Sequence, residues 1–201
     1  MPVKSLREEG FEPTILWDNP NIQSVAEHDV RLATLLSWAD DAGVSVIRCE
    51  AGSGSAVTST PTLAEQRDAW ERACAPHGFD RLARCRACYA IRLSAACKAA
   101  SELGFTHIST TLAVSPYQLF DDCSAILERT ARASGLEPVI RDWRPLYPQA
   151  TVESRERGMY RQNYCGCRFS AAEAAIERHE RRDERKREKV ARRAAKLAGE
   201  A

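Results

Sequence analysis

A chain of 201 residues and 22.4 kDa suits one domain with an appendage, or at most two small domains. With 44% hydrophobic and 28% charged residues it is neither disordered nor fibrous, and no apolar run approaches the roughly 20 residues that cross a bilayer. Met1–Ser5 leads straight into charged residues without a signal-peptide core, so the expected compartment is the cytoplasm. The net charge of +1 is uneven: Glu177–Ala201 holds ten Lys or Arg against six acids, +4, and the remainder carries −3. Attraction to a polyanion is therefore concentrated at the C-terminus.

In chain order, Val3–Glu9 reads as a short helix with no strand before it, and Phe11–Trp17 as a strand ended by the turn Asp18-Asn19-Pro20-Asn21. His28–Ala42 has helical apolar spacing and Val44–Ile47 reads as a strand. Gly52-Ser53-Gly54-Ser55 is a predicted loop, and Thr62–Ala75 a helix. Phe79–Leu103 is the longest periodic segment, followed by a predicted strand at Thr106–Thr111 and a helix at Tyr117–Ser134. Gly135–Ile140 reads as strand and Pro148–Gly158 as a short helix. Strands separated by helices predict parallel βαβ units, hence a sheet covered by helices on both faces. Ala171–Ala201 is a strong helix former with few large apolar residues. It suits a solvated helix better than a phosphate-tracking arm, although both readings are open.

Eight cysteines in a chain without an export signal turn attention to metal binding or redox chemistry, because a reducing compartment disfavours structural disulfides. Cys85 and Cys88 sit at i and i+3 of a helix, about 5–6 Å apart on one face, a gap that one metal ion or iron–sulfur cluster bridges. Arg84, Arg86 and Arg92 nearby would favour thiolates. Cys165 and Cys167 meet across Gly166, whose conformational freedom permits a tight turn; such a pair ligates a metal or cycles between dithiol and disulfide. Cys49, Cys74, Cys97 and Cys123 are isolated and read as packing residues. Nine residues from Cys88, Cys97 is turned about 180° away from it on an ideal helix, so it does not share a metal with the pair. The four histidines show no ligand spacing, and phosphate-loop, nucleophile-elbow and His-Glu-x-x-His motifs are absent from the sequence.

Several segments then combine: Asn19-Pro20-Asn21-Ile22, Arg84-Cys85-x-x-Cys88-Tyr89-x-x-Arg92-Leu93, Thr110-Thr111-Leu112-x-x-Ser115-Pro116-Tyr117, Arg141-Asp142-Trp143 and Tyr160-Arg161-Gln162-x-Tyr164-Cys165-Gly166-Cys167-x-Phe169-Ser170. Together, over about Met1–Ser170, they resemble the QueH-type epoxyqueuosine reductases. The resemblance implies removal of the epoxide oxygen of epoxyqueuosine in the tRNA anticodon, the last step of queuosine synthesis. It implies a cobalamin-independent reaction that uses a [4Fe-4S] cluster with an additional iron beside it. By motif, Cys85 and Cys88 correspond to cluster ligands, Cys165 and Cys167 to the catalytic redox pair. The partners implied are tRNA and an electron donor of unknown identity, with no membrane. Arg92, Tyr117 and Arg161 are weaker candidates for substrate contact.

Two departures stand out. Family members carry an adjacent-cysteine motif after their first strand that supplies the other two ligands; Met1–Gly10 corresponds to the helix that follows it, which implies an N-terminal loss. Gln118 stands where the family often has lysine. The expected fold is a three-layer α/β domain of the HUP or PP-loop ATPase kind at residues 1–170, lacking its first strand, with an Ala/Arg-rich helical tail at 171–201. Alternatives are a zinc-stapled binding protein whose four thiolate ligands are Cys85, Cys88, Cys165 and Cys167, a thiol–disulfide oxidoreductase relying on the last two alone, and an inactive relative.

Overall fold

The computed structural model describes residues 1–50 and 61–199; the predicted loop at Gly52–Ser55 lies outside them. The chain divides into two compact units, Met1–Arg161 and Gln162–Ala201. The first alternates helix and strand: α1 (Pro2–Glu8), β1 (Ile15–Trp17), α2 (Val25–Asp41), β2 (Val46–Arg48), α3 (Leu63–Cys74), α4 (Arg81–Glu102), β3 (His107–Ile108), α5 (Phe120–Ala133), β4 (Glu137–Pro138) and α6 (Tyr147–Glu156). The second is built on α7 (Arg168–Gly199).

Helix starts follow local capping chemistry. Ser24 accepts from Glu27 N–H and opens α2 three residues ahead of the predicted start. Thr62 and Glu65 form a reciprocal capping box on α3. Asp80 accepts from Ala83 N–H at 3.1 Å and sets the start of α4. Gly104, at φ +78°, closes α4, with Phe105 N–H returning to the Ala100 carbonyl at 3.0 Å.

The strands are parallel, as the alternation predicts, and form two two-stranded ladders, β1 with β2 and β3 with β4. Ile15, Leu16 and Trp17 face Val46, Ile47 and Arg48, and His107 and Ile108 face Glu137 and Pro138. The ladders are shorter than the apolar runs that predict them. Pro13 and Pro138 have no N–H to donate, and the chain leaves the second ladder for a 3-10 turn at Thr111–Val114. Ser109 continues the contact through its hydroxyl, which donates to the Val139 carbonyl at 2.6 Å.

The main core lies between α4 and α5. Tyr89, Leu93, Cys97 and Ala100 form the inner stripe of α4 and meet Cys123, Ile126, Leu127 and Ala131 of α5, with Ile108 and Leu136 from the neighbouring ladder. Cys49, Cys74, Cys97 and Cys123 are all buried, in keeping with their packing role. Burial pushes the thiols of Cys97 and Cys123 up to about 11 and, with Asp18 and Glu50 adding charge, Cys49 up to about 12. The shift favours the protonated thiol at these three positions. The second unit is a long, largely exposed helix on which Ile176 and Val190 face solvent. Its ion pairs include His179–Asp183, Glu177–Arg181 and Asp183–Lys186. Among the described residues no helix is long and apolar enough to cross a membrane.

Candidate functional site

Cys85 and Cys88 lie on the first half of α4, one turn apart and both half-buried, where Cys97 on the same helix is fully buried in the core. The opposite faces expected for Cys88 and Cys97 are thus realised as a partly open face and a core face. The arginines around the pair each have defined partners. Arg84 is buried and donates to the Gly78 carbonyl at 2.6 Å; Arg86 pairs with Asp122 at 2.6 Å. Arg92 donates to the Asp18 carbonyl at 3.1 Å and to Asn19 Oδ1 at 2.7 Å, tying α4 to the turn after β1. Its observed contacts are therefore structural.

Tyr89, next to Cys88, donates its hydroxyl to Gln118 Oε1 at 2.7 Å and accepts Leu119 N–H at 3.1 Å. Burial, followed by smaller charge contributions from the neighbouring cysteines, drives its pKa above the usual tyrosine range, so the hydroxyl stays protonated and keeps this bond. Gln118 thus serves as an acceptor anchoring the Ser115–Leu119 loop along α4. Tyr117, on the same loop, is 69% exposed and meets Tyr147 edge to face at 6.2 Å. Arg81, one turn before Cys85, donates to the Tyr117 carbonyl.

At the C-terminal ends of β1 and β2 a polar cluster is buried that no sequence spacing announces. Trp17 Nε1 donates to His28 Nε2 at 3.0 Å, and Glu50 Oε1 lies 3.2 Å from the same nitrogen. Asp18 is 7% exposed, and burial raises its carboxyl to about 6, with Arg92 opposing and Glu50 adding to the shift. Parallel strands deliver their C-terminal residues to a common edge, which is why these scattered residues meet.

In the second unit, Cys165 is exposed and Cys167 buried, with 3.5 Å between the sulfurs. Gly166 adopts φ +118°, a conformation that the turn needs and that glycine alone reaches without strain. Ser170, which the cysteine spacing does not single out, touches both sulfurs: its N–H donates to Cys167 Sγ at 3.3 Å, and its Oγ lies 3.0 Å from Cys165 Sγ. The available signal is its place three residues after Cys167, the offset at which a helix cap meets the N3 amide. The Cys165 contact and burial both push the Cys167 thiol up, and the Ser170 bonds oppose them.

Among the described residues no three Cys, His, Asp or Glu side chains converge so as to hold a metal ion. Cys85 and Cys88 fit a two-thiolate share of an iron–sulfur site and not a complete ligand set.

The family model for epoxyqueuosine reductase QueH matches residues 1–173. The epoxyqueuosine reductase QueH of Dehalococcoides mccartyi is 28% identical over 170 residues, covering 85% of each chain. The protein of the same name from Thermotoga maritima is 27% identical over 157 residues, covering 77% of each. That from Streptococcus pyogenes is 30% identical over 105 residues, 51% of this chain and 40% of its own. With a match running through the α4 thiols and past the Cys165–Cys167 turn, the chain belongs to the epoxyqueuosine reductase QueH family.

Proposed function

We propose that this protein is an oxidoreductase that reduces epoxyqueuosine to queuosine in the anticodon of tRNA, without cobalamin. The observation that carries the reading is the family match over residues 1–173, which includes both thiol pairs. The overall change removes the epoxide oxygen as water and leaves an alkene, consuming two electrons and two protons. A dithiol that closes to a disulfide supplies both, and the 3.5 Å separation of Cys165 and Cys167 supports them in that role. Cys85 and Cys88 act as two thiolate ligands of a [4Fe-4S] cluster. The chemistry such a cluster and its additional iron supply when bound is electron transfer and Lewis acidity toward the epoxide oxygen.

The proposed fold is the three-layer HUP-like sheet, with the two parallel ladders as its halves. Leu16 of β1 supports this, since it packs both against the core that holds Ile108 and against Cys49 and Ala99. The proposed organisation is a catalytic domain at residues 1–170 and a helical tail at 171–201.

Anaerobic turnover of epoxyqueuosine-containing tRNA, followed by nucleoside mass analysis and iron and acid-labile sulfide assays, tests the reading. The wild type is expected to lose one oxygen from the modified nucleoside. Cys88→Ser is expected to lose bound iron and sulfide, and Cys167→Ser to keep them while turnover stops. Zinc without sulfide, or an unchanged nucleoside at full cluster loading, would contradict it.

A further inference from the structure

The two sulfurs of the Cys165–Cys167 turn are unequal in access, in hydrogen bonding and in place on the helix. Cys165 is exposed, whereas Cys167 is only 4% exposed. Cys167 is the N-cap of α7: Ala171 N–H donates to its carbonyl at 3.0 Å, and its sulfur takes the capping position usually held by a Ser or Asp oxygen, accepting Ser170 N–H. A negative charge on that sulfur faces the positive end of a 32-residue helix. The Ser170 hydroxyl donates to the Cys167 carbonyl at 3.0 Å and lies the same distance from Cys165 Sγ, so one rotation turns it toward that sulfur.

Resting on the proposed reduction, which leaves this pair as a disulfide, we infer that an external dithiol re-reduces the enzyme by attacking Cys165 Sγ, with Cys167 as the leaving sulfur and Ser170 positioning both. A donor thiolate forms a bond to Cys165 Sγ; the Cys165–Cys167 bond breaks, and its electron pair goes to Cys167 Sγ, where the Ser170 amide and the α7 N-terminus hold the charge until a proton arrives. The donor's second thiolate then attacks the donor sulfur of the mixed disulfide. Cys165 departs as a thiolate toward the Ser170 hydroxyl and takes a proton. One disulfide is broken and one formed, and two electrons and two protons pass from the donor to the pair. The reverse polarity requires approach to a sulfur that is covered and followed by the buried Phe169 ring. In the reduced state the asymmetry of access persists, with Cys165 the exposed sulfur and Cys167 the covered one.

A monothiol separates the first step from the second, since it cannot complete the exchange. The full chain is mildly oxidised, the Cys165–Cys167 disulfide confirmed by peptide mapping, and the protein pulsed with glutathione, acid-quenched and analysed by tandem mass spectrometry. Glutathione is expected on Cys165 over Cys167 by at least about ten-fold. Ser170→Ala is expected to move the pH profile of Cys165 alkylation in the reduced protein upward, and Ser170→Thr to restore it. Glutathione on Cys167, an even distribution, or an unmoved profile in Ser170→Ala would overturn the inference while leaving the redox pair intact. Failure of the disulfide to form under mild oxidation would overturn the redox-pair reading and the inference with it.

Discussion

Asp18 ends β1 inside the protein, and burial holds its carboxyl near 6 against an ordinary value of 3.8. The unfolded chain releases this proton first, so between about pH 4 and pH 6 the folded state binds more protons and stability falls as pH rises. Above that window the loss is complete. Asp18→Asn is expected to flatten this part of the profile and to raise stability near pH 7 by on the order of 2–3 kcal/mol. Denaturant midpoints across the acid range check it, and an unchanged slope would contradict the buried, ionised carboxylate. Asp18 also shows what single residues conceal in a sequence. Cys85, Cys88, Cys165 and Cys167 stand out because thiols at short spacing are rare, whereas Asp18, His28 and Glu50 are separated by long stretches and come together because β1 and β2 end side by side and the first turn of α2 brings His28 to Trp17 and Glu50. Ser170 is within reach of sequence reasoning as a cap-to-N3 pair, but its link to both sulfurs depends on the Gly166 turn.

At the scale of elements, helices are readable in the sequence and strands only roughly so. Capping residues mark helix ends chemically: Ser24, Thr62 and Asp80 each accept an amide of the first turn, and the observed starts follow them. A strand has no such local mark, because its limits depend on a partner's amides and carbonyls elsewhere in the chain. The runs Phe11–Trp17 and Thr106–Thr111 therefore overstate β1 and β3, which end where pairing ends. The α4–α5 contact sets how far the two thiols are covered, because Tyr89, Leu93 and Cys97 bury the inner stripe of α4 and Cys85 packs at its edge, leaving Cys85 and Cys88 half-buried. Leu127, 1% exposed at the centre of that contact, is its most sensitive point. Leu127→Ala is expected to cost about 2–5 kcal/mol of unfolding free energy, measured by chemical denaturation. A loss below about 1 kcal/mol would show that this helix pair is not the main core.

Across the whole molecule, the two thiol pairs fall in different units. Unit Met1–Arg161 holds the α4 thiols and the buried polar cluster, and unit Gln162–Ala201 holds the dithiol turn at the head of a charged helix. The family match runs from the first residue to the opening turns of α7, so both thiol pairs fall within it and most of the basic helix falls beyond it. The segment Glu177–Ala201 keeps +4 after its own acids are counted, and its ion pairs join neighbouring turns of the helix, in keeping with a solvated face. The proposed role of Cys165 and Cys167 is to supply the electrons that remove the epoxide oxygen. The direct test is a single turnover of pre-reduced, cluster-loaded enzyme on epoxyqueuosine-containing tRNA without added reductant, counting queuosine and the Cys165–Cys167 disulfide together. One disulfide per queuosine is the predicted result, and queuosine formed with both thiols still reduced would contradict the account.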